Sequence, residues 1–343
     1  MCSRIICQVL YLMFYKIFSQ SKLLFLEGKN SRQFRNLKIL ENAIDDARKE
    51  ILTNDSSLLK KIISIARSKV ICIDQSNVIL SKIHLYGNTT VVQVWHAGGA
   101  FKKFGLDGID NRKDINKEKI RVQRINRNIG YAIVSDKKMI NLYAKAFGIR
   151  ESQVLPLGLV RSDEYFETRD EYITGKKVIL YAPTFRTQLN NTRICSSYDV
   201  IIELEKYFPE YQIWVKFHPG LDVSAMEKSK GVIDVSALNM TDIFRYVNVL
   251  ITDYSSIIFD YSMFTGKIIF LTEDIDEYCK QRGLYFDPRK KFNGFTATNI
   301  DELVEVIKNS ENNTKKFRNE FMNSCDGHCT EKVSKFIISL MEK

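Results

Sequence analysis

Proline is scarce, with five residues among 343, so no proline-rich linker separates rigid modules. Histidine is scarcer at four, and tryptophan occurs twice. Cysteine offers no disulfide framework: seven are scattered over the whole length, an odd number, and a reducing cytoplasm is the simpler reading. Repeats and low-complexity tracts are lacking. A membrane-spanning run is also missing. The apolar stretch Ile5 to Phe18 has 14 residues, interrupted by Gln8 and Lys16; a span needs roughly 20. It makes a poor signal peptide, because Arg4 is the only charge ahead of it and no small-residue cleavage site follows. Residues 1–21 are therefore expected to form a segment that lies on a membrane or packs on the fold.

What is present suits a full globular chain. The length allows two domains, and 45% hydrophobic residues exclude disorder. A net charge of +10 suits phosphate-bearing partners: nucleic acid, an anionic membrane face or a phosphorylated substrate. Short apolar runs alternate with helical periodicity, the sign of parallel sheets. Strands are predicted at Lys22–Leu26, Val70–Ile73, Val91–Val94, Gly130–Val134 and Val154–Leu157, with helices over Asn36–Thr53, Ser56–Arg67 and Lys137–Phe147. A second series runs through Val178–Ala182, a helix near Tyr198–Tyr207, Gln212–Phe217 and Val247. Asp301–Asn309 and Lys315–Lys343 read as closing helices. The fold class is thus α/β, with two Rossmann-like doubly wound domains, residues 22–165 and 166–343, facing a cleft.

Val247 to Tyr261, V-N-V-L-I-T-D-Y-S-S-I-I-F-D-Y, reads as a buried strand, a polar turn and a helix start. Such a unit aims backbone N–H groups at the carboxyl edge of a parallel sheet, where anions bind; Ser255 and Ser256 either add hydroxyl donors there or only cap the helix. Two of the four histidines also end predicted strands. His96 follows V-V-Q-V-W and precedes Ala97-Gly98-Gly99; His218 follows I-W-V-K-F and precedes Pro219-Gly220. Either suits a general base or a phosphate partner. Thr184 and Arg186, just past another strand, are placed to grip phosphate. The segment Lys102 to Arg127 is basic, with Lys102, Lys103, Lys117, Lys119, Arg121 and Arg124. It reads as a solvated helix face or as a surface for anionic lipid or acceptor phosphate. No carboxylates cluster at metal spacing, and C-x-x-H-C at Cys325, His328 and Cys329 lacks a second ligand pair, so no metal is assigned.

Six strings in order resemble a known family: W-H-A-G-G-A-F-K-K-F-G (Trp95–Gly105), L-P-L-G-L-V-R-S-D (Leu155–Asp163), Y-A-P-T-F-R (Tyr181–Arg186), K-F-H-P-G (Lys216–Gly220), I-T-D-Y-S-S-I-I-F-D-Y (Ile251–Tyr261) and R-G-L-Y-F-D (Arg282–Asp287). Together they resemble the CDP-glycerol glycerophosphotransferase family of teichoic acid and capsule synthesis, over about residues 22 to 340. Many members have G-T-P where Ala97-Gly98-Gly99 stands here. The resemblance implies a glycosyltransferase-B-like fold on the cytoplasmic face of the cell membrane, held peripherally. It implies CDP-glycerol or CDP-ribitol bound by the C-terminal domain and a lipid-linked glycan or polyol-phosphate acceptor at the N-terminal domain. His96 matches the family's proposed base and His218 its histidine near the donor diphosphate. Ser255 and Ser256 match the diphosphate turn, Asp253 and Asp260 its acidic positions, and Arg282 an arginine of the donor loop.

The expected activity is transfer of a polyol phosphate from the CDP donor to an acceptor hydroxyl, releasing CMP. The CDP-polyol is substrate, and no cofactor or nucleic-acid partner is assigned. The rivals are a nucleotide-sugar glycosyltransferase of the same fold and a non-catalytic basic protein that docks on membranes or nucleic acid.

Overall fold

The computed structural model describes residues 3–109, 115–167, 175–184, 191–217 and 231–343. The chain divides into two α/β units. One comprises Met1–Gly99, Lys103–Phe166 and Phe321–Lys343; the other comprises Ala100–Lys102 and Glu167–Glu320.

In the first unit six strands form one sheet: β1 (Lys22–Leu26), β2 (Lys49–Leu52), β3 (Ser68–Ile73), β4 (Thr90–Gln93), β5 (Ile129–Ile133) and β6 (Val154–Leu155). Their order is β2-β1-β3-β4-β5-β6, every neighbour parallel. Successive side chains of a strand point to opposite faces, and here both faces are apolar. Leu23 and Phe25 of β1 join Val70 and Cys72 of β3 beneath the helices Asn36–Ala43 and Cys329–Glu342. Leu24 and Leu26 join Ile71 and Ile73 beneath the helices Arg4–Ile17 and Leu58–Ala66.

Two sequence expectations change. The stretch 36–53 is not one helix: the helix stops at Ala43, and Lys49–Leu52 forms β2 beside β1. Asp46 makes the break, its carboxylate accepting the Arg48 N–H at 2.8 Å and its carbonyl the Lys49 N–H at 3.0 Å. Residues 315–343 likewise form two helices, Thr314–Phe321 and Cys329–Glu342. The last one lies in the first unit, so the second domain does not run unbroken to residue 343. Val333 and Ile337 bury it there, and Asp163 caps it by accepting the N–H groups of Cys329 and Thr330 at 2.9 and 2.7 Å. Gly158 permits this approach: it has φ +91, and a Cβ on it would meet Cys329 Sγ at 2.3 Å. The N-terminal segment forms the helix Arg4–Ile17, which packs on the fold through the fully buried Cys7 and Tyr11. Among the described residues no helix is long and apolar enough to cross a membrane.

The second unit has β7 (Lys177–Tyr181), β8 (Tyr211–Val215), β9 (Val232–Asp234), β10 (Val247–Thr252), β11 (Lys267–Leu271) and β12 (Thr296–Ala297). The order is β12-β11-β10-β7-β8-β9, again parallel throughout. This is a doubly wound Rossmann order, and it reverses between β7 and β10. Ile179, Ile213, Ile251 and Ile269 line one face against Ile201, Leu204, Leu303 and Ile307 of the helices Asn191–Tyr207 and Ile300–Asn309. The architecture is α/β with two Rossmann-like units, the glycosyltransferase-B-like class.

Candidate active site

In the first unit the order reverses between β1 and β3, and the carboxyl ends of those strands are where a ligand of an open sheet binds. Asp74 follows β3 there. Its carboxylate Oδ1 accepts the Ser31 hydroxyl at 2.5 Å, and Ser31 Oγ in turn accepts the Gly28 N–H at 2.8 Å. Asp74 is fully buried, and Oδ2 has no hydrogen-bond partner among the described residues. Burial pushes its carboxyl up to about 6, against the Ser31 hydrogen bond that favours the ion.

His96 stands beyond the end of the neighbouring strand β4, with Nδ1 at 3.0 Å from the Asp74 carbonyl oxygen. A carbonyl only accepts, so Nδ1 carries the proton and Nε2 keeps its lone pair, the tautomer a general base needs. The ring stacks on Phe34 at 4.3 Å and packs on Trp95 at 4.3 Å. Burial, opposed by the Asp74 carbonyl and aided by nearby Arg161, pushes the imidazole down to about 4. At neutral pH it is therefore uncharged.

The loop that carries His96 is held from several directions. Trp95 has φ +54, a left-handed conformation that a bulky residue keeps only under constraint. The constraints are visible. Buried Asn36 donates from Nδ2 to the Trp95 carbonyl at 2.9 Å and accepts the Arg161 N–H at 3.1 Å. Arg161 donates from Nη1 to the His96 carbonyl. The indole packs edge-on to Phe147 at 5.1 Å and stacks on Phe104 at 5.2 Å. Past His96, Gly99 at φ +53 donates to Ser135 Oγ at 2.8 Å and accepts the Tyr143 hydroxyl at 2.6 Å. Asn36→Ala should leave the part-buried Trp95 carbonyl and Arg161 N–H without this partner; at about 1–2 kcal/mol each, the lower part of the range for an unsatisfied group, urea unfolding should show a loss of roughly 2–4 kcal/mol. A change within 0.5 kcal/mol would show that Asn36 does not hold this loop.

In the second unit the switch point lies between β7 and β10. Asp253, after β10, accepts the Thr184 N–H at 2.8 Å, and Thr252 donates to the Ala182 carbonyl at 2.6 Å, so the two strand ends are tied together. Asp253 is thereby given a positioning task in this turn. Ser255 is half-buried and accepts the Ile257 N–H at 3.3 Å; Ser256 is exposed and makes no capping bond. Asp260 is buried within the helix Ile257–Tyr261. Arg282 is exposed at the end of the helix Ile275–Gln281. The R-G-L-Y-F-D string that it begins holds the segment Ala100–Lys102: Leu284 bridges Lys102, Tyr285 N–H donates to the Phe101 carbonyl at 2.9 Å, and Phe286 stacks on Phe101 at 4.6 Å.

Lys102 falls elsewhere than the sequence suggests. Its sequence neighbours place it with the basic surface, but its ammonium lies 3.4 Å from Thr184 Oγ1 and 5.9 Å from the Tyr278 ring centroid, at the β7 turn. Lys117, Lys119 and Arg121 are exposed on the helix Ile115–Asn126, with Arg124 half-buried and Arg121 paired to Glu118 at 2.5 Å. Lys103 is half-buried in the first unit. His218 and Arg186 lie outside the described residues.

Sequence reasoning missed Asp74, Ser31, Asn36 and Arg161. Arg161 stood inside a recognised string without a role. Asp74 carried one usable signal, a carboxylate directly after a β-branched strand.

Three comparisons bear on the chain as a whole. The model of the family described as CDP-Glycerol:Poly(glycerophosphate) glycerophosphotransferase matches residues 14–339. The teichoic acid glycerol-phosphate primase of Bacillus subtilis (strain 168) is 30% identical over 299 residues, covering 84% of this chain and 78% of that protein. The teichoic acid ribitol-phosphate primase of Bacillus spizizenii is 29% identical, covering 81% and 76%. Among solved structures, that of the wall teichoic acid polymerase TagF superposes with a TM-score of 0.74 at 20% identity, over 97% of this chain and 92% of that one.

Proposed function

The chain belongs to the CDP-glycerol:poly(glycerophosphate) glycerophosphotransferase family, and from that premise we propose how its residues perform the transfer. The chain is a transferase of teichoic acid synthesis that moves glycerol phosphate or ribitol phosphate from a CDP donor to an acceptor. The acceptor hydroxyl oxygen attacks the β-phosphorus of the donor. The new P–O bond forms as the bond to the bridging oxygen breaks, CMP leaves with that oxygen, and His96 Nε2 takes the hydroxyl proton. The observation that carries this role is the Nδ1 contact to the Asp74 carbonyl, which selects the proton-accepting tautomer. The same bond strengthens once the ring is charged, because charge-assisted hydrogen bonds are roughly twice as strong.

On the donor side, Ser255 and Ser256 donate to the diphosphate, and Lys102 beside Thr184 adds positive charge. His218, Arg186 and Arg282 join them as sequence-assigned donor contacts. Asp253 positions the turn, and Asp260 supports the helix behind it. Negative charge on the diphosphate grows as the CMP bond breaks, so donors set in advance lower the barrier. The acceptor is a lipid-linked glycan or polyol phosphate, and the enzyme sits peripherally on the cytoplasmic membrane face.

Two experiments test this reading. Competition among CDP-glycerol, CDP-ribitol and UDP-sugars should give turnover with a CDP-polyol only; turnover with a UDP-sugar alone would make the chain a glycosyltransferase. The pH profile tests the base. A depressed imidazole is in its base form above its own pKa, so kcat/KM should hold between pH 8 and 6 and fall only as pH approaches about 4. A folded enzyme whose rate halves near 6.5, the ordinary histidine value, would contradict the burial of His96.

A further inference from the structure

Most surface helices turn their apolar side inward. The helix Arg4–Ile17 turns much of its apolar side outward. Gln8 faces the protein, exchanging hydrogen bonds with the backbone of His84: its Nε2 donates to the carbonyl at 3.1 Å and its Oε1 accepts the N–H at 2.6 Å. Tyr11 is buried and accepts the Tyr86 N–H at 3.0 Å. Ile5, Val9 and Ile17 are 76%, 58% and 64% exposed, and Met13 completes their four-residue spacing. They form one ridge along the helix. This ridge has no carboxylate near it on its own helix, which contains only Arg4 and Lys16 as charges.

Arg4, at the start of that helix, also lines a cavity of about 220 Å³ with Arg121 and Arg124 of the helix Ile115–Asn126. Ser76 and Ser81 bring hydroxyls to it, and exposed Val78 lies at its wall. Among the described residues no carboxylate lines the cavity, although Glu118 pairs with Arg121 at 2.5 and 2.8 Å. Arg127 sits close enough to Arg4 and Arg124 for their charges to add to its burial in disfavouring its own. An excess of guanidinium groups around a small cavity that Val78 and Ile125 also line, beside a row of exposed aliphatic side chains, matches a surface with phosphate above and hydrocarbon below.

We propose that the Arg4–Arg121–Arg124 cavity binds the headgroup phosphate of an anionic bilayer lipid while Ile5, Val9, Met13 and Ile17 enter the acyl boundary. The inference rests on the peripheral-membrane reading above and adds to it a defined lipid site. Guanidinium forks suit phosphate oxygens, and apolar area supplies the remaining affinity. The paired signals suffice together where either alone gives weak binding.

The test is sedimentation of the full chain with vesicles of phosphatidylglycerol in phosphatidylcholine, with thermal melts confirming that each variant folds. Arg4→Gln with Arg124→Gln should weaken partitioning about tenfold or more. Lys117→Gln with Lys119→Gln removes equal charge from outside the cavity and should cost under about threefold. Val9→Ser with Met13→Ser should weaken binding in high salt as well as low, because apolar insertion is not screened. Wild-type protein that fails to sediment overturns both the membrane reading and the lipid site. If wild type binds and the ridge variant loses binding, but the two charge variants behave alike, the membrane reading stands and the cavity is not a headgroup site.

Discussion

Replacing His96 with alanine is expected to lower CMP release by about 10²–10⁴-fold, the usual range for loss of a general base, while donor affinity stays near wild type. The split follows from position. His96 sits in the first unit, beyond β4 and bonded to the Asp74 carbonyl, whereas the assigned donor contacts Ser255 and Ser256 belong to the turn after β10. His96→Asn separates chemistry from packing, since its amide can still donate to the Asp74 carbonyl while offering no basic nitrogen. Both variants should lose turnover alike. Near-normal turnover at saturating donor in either folded variant would remove His96 from the reaction.

The second large effect is expected from Ser255→Ala combined with Ser256→Ala. Each hydrogen bond to a charged group contributes roughly 1.5–3 kcal/mol, so donor affinity should fall by on the order of 10²-fold or more. Ser255 Oγ accepts the Ile257 N–H at 3.3 Å, which leaves its proton able to donate. Loss of that local bond alone costs about 0.5–2 kcal/mol of stability, and a melt measures it separately. Unchanged CDP-glycerol affinity by calorimetry, in a double variant that has lost only stability, would reduce Ser255 to a helix cap and take Ser256 out of donor binding.

Much of the framework was legible because parallel strands covered on both faces must be apolar. Lys22–Leu26 coincides with β1 for that reason. The strand β2 was not legible. It is an edge strand of four residues, K-E-I-L, with only Leu52 buried, and Leu37, Leu40 and Ile44 before it suggest that the helix continues. Short β9 and β12 escaped similarly, at three and two residues. The final helix was read correctly as apolar on one side, but periodicity cannot say which sheet that side covers; Asp163, 167 residues before Thr330, decides it.

The site shows the same limit. The strand-end position of His96 was legible from the apolar run before it and the glycine pair after it. Its supports were not, because Asn36 lies 59 residues from Trp95, and Arg161 lies 65 residues from His96. Lys102 was misplaced because neighbouring lysines look alike in sequence, while Phe101 and the Leu284 bridge fix Lys102 at the β7 turn. Spacing reveals what one element presents. It does not reveal which distant element completes the contact.

The most direct measurement incubates the protein with CDP-glycerol or CDP-ribitol and membrane-bound acceptor, then follows CMP and the mass of the acceptor. CMP should appear in proportion to product, and the acceptor should gain whole glycerol phosphate or ribitol phosphate units. With His96→Ala both signals should fall together. CMP and acceptor mass that stay unchanged with either CDP donor, while a UDP-sugar adds a sugar to the same acceptor, would contradict polyol-phosphate transfer by this chain.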